Sequence, residues 1–281
     1  MNYNNLPAII AHRGLGLHYP ENTIAAFRAA VQAGADMVEI DAHGTKNGEF
    51  LVFHHEQHFQ TQGAKPPSLA TCIEALGSTP INLDIKGCRH PSHLQNYLGN
   101  HALPPDSVVS SFDYSLLVSL SKAEFPYPIF LILSVAPSRS LRHNLRNSVL
   151  SVLPSLVPGF LDGLAVNHRL LSKRLIRVLH RKDKKVYTWT VDEPSRLEHL
   201  AAWGVDGVIT KRTDLFSRCA PVPIKNSIRL KQPEFPDDPE GVREQMQNQK
   251  PVMARGERSW REATPSKRCT SAAKNVPRTS R

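Results

Sequence analysis

Two histidines, an arginine and three carboxylates stand at or near the ends of short apolar runs in the first third of the chain. His12-Arg13 follows Ala8–Ala11, Glu39 and Asp41 close Met37–Asp41, His54 follows Phe50–Phe53, and Asp84 and Lys86 close Ile81–Ile85. On a strand, residues two apart project from one face, so Glu39 pairs with Asp41 and Asp84 with Lys86. Three converging carboxylates repel one another unless a cation neutralises them, and an all-oxygen set suits a hard ion such as Mg²⁺ or Ca²⁺. An imidazole with a pKa near ~6.5 exchanges protons at neutral pH. Phosphodiester hydrolysis needs one group to activate the nucleophile and another to protonate the leaving oxygen, a need that His12 and His54 meet. Arg13 and Lys86 suit phosphate oxygens, with ion pairs to the rim carboxylates as the alternative. This is the layout of a metal-assisted phosphodiesterase site. The other histidines, such as His143, His180 and His199, read as surface residues.

The elements that must position these groups alternate. Strands are expected at Ala8–Ala11, Met37–Asp41, Ile81–Ile85, Val108–Ser110, Ile129–Leu133, Gly163–Val166, Lys185–Trp189 and Gly207–Thr210. Helices are expected at Thr23–Ala33, Leu69–Leu76, Ser115–Ala123, Ser172–Arg181 and Pro194–Trp203. Eight β segments interleaved with α segments predict a parallel sheet closed by right-handed crossovers, a lean (β/α)₈ TIM barrel. The alternative, an open doubly wound sheet, lacks a GxGxxG after its first strand. In a barrel the strand ends named above share one rim, where such folds place their sites. Phe50–Phe53 would add a hairpin strand after the second, and Trp189, ending the seventh, is either core or a wall facing substrate. Asn22 reads as an N-cap for the first helix.

The order His12-Arg13-Gly14, Pro20-Glu21-Asn22-Thr23, Glu39-Ile40-Asp41, Phe53-His54 resembles the glycerophosphodiester phosphodiesterase family. The resemblance continues through Asn82–Lys86, Ser111-Phe112 and Val186–Val191 to Gly204–Thr210, covering roughly residues 6–217. It implies that Glu39, Asp41 and Asp84 hold the divalent cation, that His12 and His54 form the acid/base pair, and that Glu21 supports the metal or a catalytic histidine. It further implies cleavage of small-molecule glycerophosphodiesters to sn-glycerol 3-phosphate and an alcohol, the glycerol 2-hydroxyl attacking phosphorus and the cyclic phosphate then being hydrolysed. Departures stand out: Asp84 where the family usually has Glu, His55 and Lys211 where Asp is usual, and Asn47 for the Asp of a T-x-D-G turn. Only Glu56–Pro67 separates His55 from the next helix, so the capping insertion is reduced and the site more open. Cleavage of lysophospholipid head groups, as by a lysophospholipase D, is a second reading. A degenerate barrel that binds phosphodiesters without turnover is a third, against which the retained histidines argue.

At 281 residues and 40% hydrophobic content the chain can bury a large core. Its periodicity stops near residue 218. Residues 219–281 hold eight prolines, 13 basic and seven acidic residues, so they supply +6 of the net +10, and residues 218–281 are expected to be a disordered basic tail. Acidic interruptions and sparse aromatics argue against specific nucleic-acid binding. No signal peptide or transmembrane run is evident, and Cys72, Cys88, Cys219 and Cys269 lack paired spacing, so reduced thiols and a soluble, cytoplasmic protein are expected. The sequence does not specify an oligomeric state.

Overall fold

The structure, a computed structural model, describes residues 7–55, 65–134 and 157–213. The expected tail, residues 218–281, lies outside these ranges, as do residues 56–64 of the short capping segment, His143, Cys219 and Cys269.

The strands are β1 (Ala8–His12), β2 (Met37–Gly44), β3 (Phe50–Val52), β4 (Ile81–Gly87), β5 (Val108–Ser111), β6 (Ile129–Leu133), β7 (Gly163–Asn167), β8 (Lys185–Trp189) and β9 (Gly207–Thr210). All but β3 pair in parallel, and β1 bonds to both β2 and β9, which closes the expected eight-stranded barrel. β3 lies antiparallel on β2 as the expected hairpin. The described helices are α1 (Ile24–Gln32), α2 (Leu69–Leu76), α3 (Pro91–Asn100), α4 (Tyr114–Ser121), α5 (Lys173–His180) and α6 (Pro194–Trp203). Their starts are encoded locally. Thr23, Ser68, Asp113 and Ser172 each accept a first-turn N–H, and α3 and α6 begin at proline. Asn22 is therefore not the cap of α1; Thr23 is.

Two expectations need correction. α3 was absent from the expected helices, because its buried Leu94, Tyr97 and Leu98 are scattered among polar residues. β2 also runs three residues past Asp41, because Ala42, His43 and Gly44 pair with Val52, Leu51 and Phe50 of the hairpin. Glu39 and Asp41 thus sit within a strand rather than at its end, Glu39 paired with both β1 and β4 and Asp41 with β4.

Outward residues such as Val38, Ile40, Leu83 and Val109 pack beneath the helices, while inward ones divide by height. Ile10, Met37, Val108, Phe130, Ile132, Ala165, Tyr187 and Ile209 form an apolar plug, with the Phe130 and Tyr187 rings 4.6 Å apart. Gly163 makes room for it, since a Cβ there would lie 2.3 Å from the Phe130 ring. Register is pinned below the plug. Asp36, Asp162 and Asp206, each just before a strand, accept the N–H of Ile9, Ile129 and Val186 in the neighbouring strand at 2.7–2.8 Å. Toward the carboxyl ends the inward positions turn polar. Among the described residues no helix is long and apolar enough to cross a membrane, and Cys72 and Cys88 are free thiols.

Candidate active site

The polar half of the barrel begins with the carboxylates. Register sets Asp41 beside Asp84, Glu39 beside Asn82, and His12 beside Glu39. All three acids are buried, and their ligand oxygens lie within 4.8 Å of one another. Burial, then the neighbouring Asp41, pushes the Glu39 carboxyl well above its ordinary range, and burial lifts Asp84 to about 6. Asp41 behaves oppositely. Against its burial, Lys86 and Arg13 hold it well below the usual carboxylate range. The fit to a hard divalent cation is good: the donors are all carboxylate oxygens, and Asp84 Oδ1 is buried without a hydrogen-bond partner, while Asp41 Oδ1 has only the Lys86 ion pair.

Cations interleave with these acids. Lys86 Nζ lies 2.5 Å from Asp84 Oδ2 and 3.0 Å from Asp41 Oδ1, and it stays protonated because those carboxylates outweigh its burial. Arg13 adopts φ +57°, its N–H donates to Glu39 Oε2 at 2.8 Å, and its Nη1 donates to Glu21 Oε2 at 2.8 Å. Its Nε stands 2.8 Å from Asp41 Oδ2 without hydrogen-bond alignment. Here both Arg13 and Lys86 engage carboxylates, the alternative their side chains left open. Glu21 also meets Lys211 Nζ at 2.6 Å. Although burial opposes it, Lys211 and Arg13 bring the Glu21 carboxyl down to about 2.

Three residues of this site were missed as functional candidates. Asn22, buried and at φ +60°, donates through Nδ2 to Asp41 Oδ2 at 2.9 Å and accepts the Asp41 N–H at 3.2 Å. Its signal was the left-handed tolerance of Asn in a turn. His43 is the third inward position of β2, two beyond Asp41. It stacks on Phe53 at 4.1 Å, and its Nε2 is buried without a hydrogen-bond partner. Lys211, noted only as a departure, is the third.

His12 ends β1. Burial, then adjacent Arg13, lowers its imidazole to about 3. His54 follows Phe53, whose N–H donates to the Asp41 carbonyl at 3.1 Å, and burial lowers His54 to about 4. Both rings are neutral at pH 7, and Nδ1 of each is buried without a hydrogen-bond partner. Both feel the charge of Asp41. His180 and His199 are exposed, as expected; His180 meets Asp206 and His199 meets a carbonyl of its own helix. Trp189 is partly buried, as its reading as core expects. It packs on the apolar plug and its Nε1 donates to the Ala165 carbonyl, while its ring stands nearly perpendicular to that of the exposed Phe112, centroids 6.1 Å apart. Phe112 in turn lies 5.4 Å from Lys86 Nζ.

Residues 12–74 and 86–215, most of the chain, match the glycerophosphoryl diester phosphodiesterase family. The chain belongs to this family. The match spans both histidines, Glu39 and Asp41, and skips a stretch that contains Asp84. A glycerophosphodiester phosphodiesterase from Caldanaerobacter subterraneus subsp. tengcongensis is 26% identical over 240 residues, covering 72% of this chain and 93% of that protein. Human lysophospholipase D GDPD1 is 32% identical over only 111 residues, 27% of this chain and 35% of that one. The barrel also matches a solved phosphodiesterase from Oleispira antarctica, in complex with the product sn-glycerol-3-phosphate, at a TM-score of 0.58 and 23% identity, over 76% of this chain and 96% of the other. Family membership makes the chain a phosphoric diester hydrolase.

Proposed function

We propose that this protein hydrolyses glycerophosphodiesters to sn-glycerol 3-phosphate and an alcohol, with Glu39, Asp41 and Asp84 holding a divalent cation and His12 and His54 moving protons. The observation that carries this reading is the convergence of three buried carboxylates within 4.8 Å at the rim that also bears both histidines. The product complex of the Oleispira protein supports a glycerol phosphate ligand for this fold.

When bound, the cation supplies positive charge against the phosphate oxygens. Arg13 and Lys86, shared here with carboxylates, turn to the phosphodiester. One neutral imidazole takes the proton of the glycerol 2-hydroxyl as its oxygen bonds to phosphorus. The bond from phosphorus to the alcohol oxygen breaks, and the other imidazole, charged by the proton it takes up beside the phosphate anion, protonates that oxygen. Water then opens the cyclic phosphate by the same groups in reverse. The low imidazole pKa values make both rings proton acceptors before substrate arrives.

Cleavage of lysophospholipids is the second reading, favoured by one observation. Leu17, Phe112 and Tyr114, three of the exposed large apolar side chains among the described residues, follow the carboxyl ends of strands, the first two on loops and Tyr114 at the start of α4. Turnover of glycerophosphocholine, glycerophosphoethanolamine and a lysophospholipid, with EDTA and then Mg²⁺ or Ca²⁺ restored, separates these readings. Metal-dependent release of glycerol phosphate from the first two supports the proposal; phosphodiester binding without turnover on any of them supports a degenerate barrel.

A further inference from the structure

Lys211 stands just beyond β9 and reaches a carboxylate 190 positions earlier: its Nζ lies 2.6 Å from Glu21 Oε1. The other oxygen, Oε2, takes Arg13 Nη1 at 2.8 Å. A single carboxylate thus holds one cation on each oxygen and ties the end of the last strand to the turn after the first. The lysine is anchored at its base. Its backbone N–H donates to Asp192 Oδ1 at 2.8 Å, and Thr210 Oγ1 donates to the same oxygen at 3.1 Å.

Arg13 is pulled two ways, toward Glu21 through Nη1 and toward Asp41 through Nε. Its left-handed backbone is not the preference of an arginine, so contacts rather than local conformation hold it. If Glu21 swung away, the guanidinium, already 2.8 Å from Asp41 Oδ2, would lose its second carboxylate and pair with Asp41 alone, where it would compete with a cation. We propose that Lys211 is a positioning residue: by clamping Glu21 it keeps Arg13 shared between Glu21 and Asp41 instead of paired with Asp41 alone, and so keeps the guanidinium available to phosphate. Charge favours the same arrangement. With Glu21, Glu39, Asp41 and Asp84 ionised and Arg13, Lys86 and Lys211 protonated, the network is one charge negative, and a divalent cation makes it one positive, opposite to a phosphodiester. Without Lys211 the loaded site would be neutral.

This inference rests on the proposed function for its kinetic readout and not for its metal readout. Lys211→Ala, Lys211→Arg, Glu21→Gln and the Lys211→Ala/Glu21→Gln double variant of the full chain test it, with Mg²⁺ affinity by calorimetry, KM and kcat on glycerophosphocholine, and Tm. Lys211→Ala should weaken Mg²⁺ binding and raise KM by about tenfold, with kcat within about threefold of wild type. Lys211→Arg should restore both, and the double variant should be no worse than Glu21→Gln alone, since the two act as one unit. A lowered Tm with unchanged Mg²⁺ affinity and KM would mark Lys211 as a mere brace and overturn the proposal, as would fully additive losses in the double variant. Should wild type hydrolyse no glycerophosphodiester, the proposed function fails, and the Mg²⁺ affinities alone decide the role of Lys211.

Discussion

Asn22 grips Asp41 twice, its amide N–H donating to the buried carboxylate at 2.9 Å while its carbonyl accepts the Asp41 backbone N–H at 3.2 Å. The PENT turn is thereby fastened to the strand that carries two of the three clustered carboxylates. Asn22→Gly, which leaves the φ +60° turn unstrained, should still destabilise the protein by about 1.5–3 kcal/mol, the worth of a hydrogen bond to a buried charge. Urea unfolding measures this, and a Gly variant as stable as wild type would show that the grip contributes nothing.

Cation binding should depend on pH with a definite sign. Asp84, raised to about 6 by burial, carries a proton over much of the range below that value, and the strongly raised Glu39 does so as well. A cation must displace those protons, so affinity should fall as pH drops from about 7 to about 5, and binding should release protons. Calorimetry in buffers of different ionisation enthalpy reads both effects; a pH-independent affinity over that window would remove Glu39 and Asp84 as ligands. On the same instrument Asp84→Ala should lose far more affinity than Asp84→Glu.

The plug beneath the site should tolerate no added volume. Gly163→Ala would set a methyl 2.3 Å from the Phe130 ring and 2.7 Å from the Lys185 carbonyl, neither of which can withdraw within the closed barrel. Overpacking of this kind costs about 1–3 kcal/mol, so thermal unfolding should occur several degrees lower while cation affinity stays near that of wild type. An unchanged Tm would mean that the plug is looser than its contacts indicate.

Strand number, order and most helices were legible because each strand is a short apolar run and most helices open with a capping residue or proline. α3 was not, since Leu94, Tyr97 and Leu98 are diluted by His93, Gln95, Asn96 and Gly99. The carboxylate trio was legible through its period of two, for the strand itself places Glu39, Asp41 and Asp84 inward. Asn22 was misread as a cap because its partner, Asp41, lies 19 residues away and local pattern favours the helix that follows. His43 escaped for a related reason: only the hairpin pairing that prolongs β2 turns it inward. Lys211 could be seen to depart from the family pattern, but its meeting with Glu21 exists only once the barrel closes β9 onto β1.

Steady-state turnover of glycerophosphocholine by wild type, His12→Ala and His54→Ala, at saturating Mg²⁺ or Ca²⁺ with cation affinity measured separately, puts the two imidazoles to the test. Each variant should lose about 10²–10⁴-fold in kcat, the usual contribution of a positioned acid or base, while binding the cation as wild type does and His199→Ala stays fully active. A wild-type rate from either rim variant would contradict the assignment of that histidine to proton transfer.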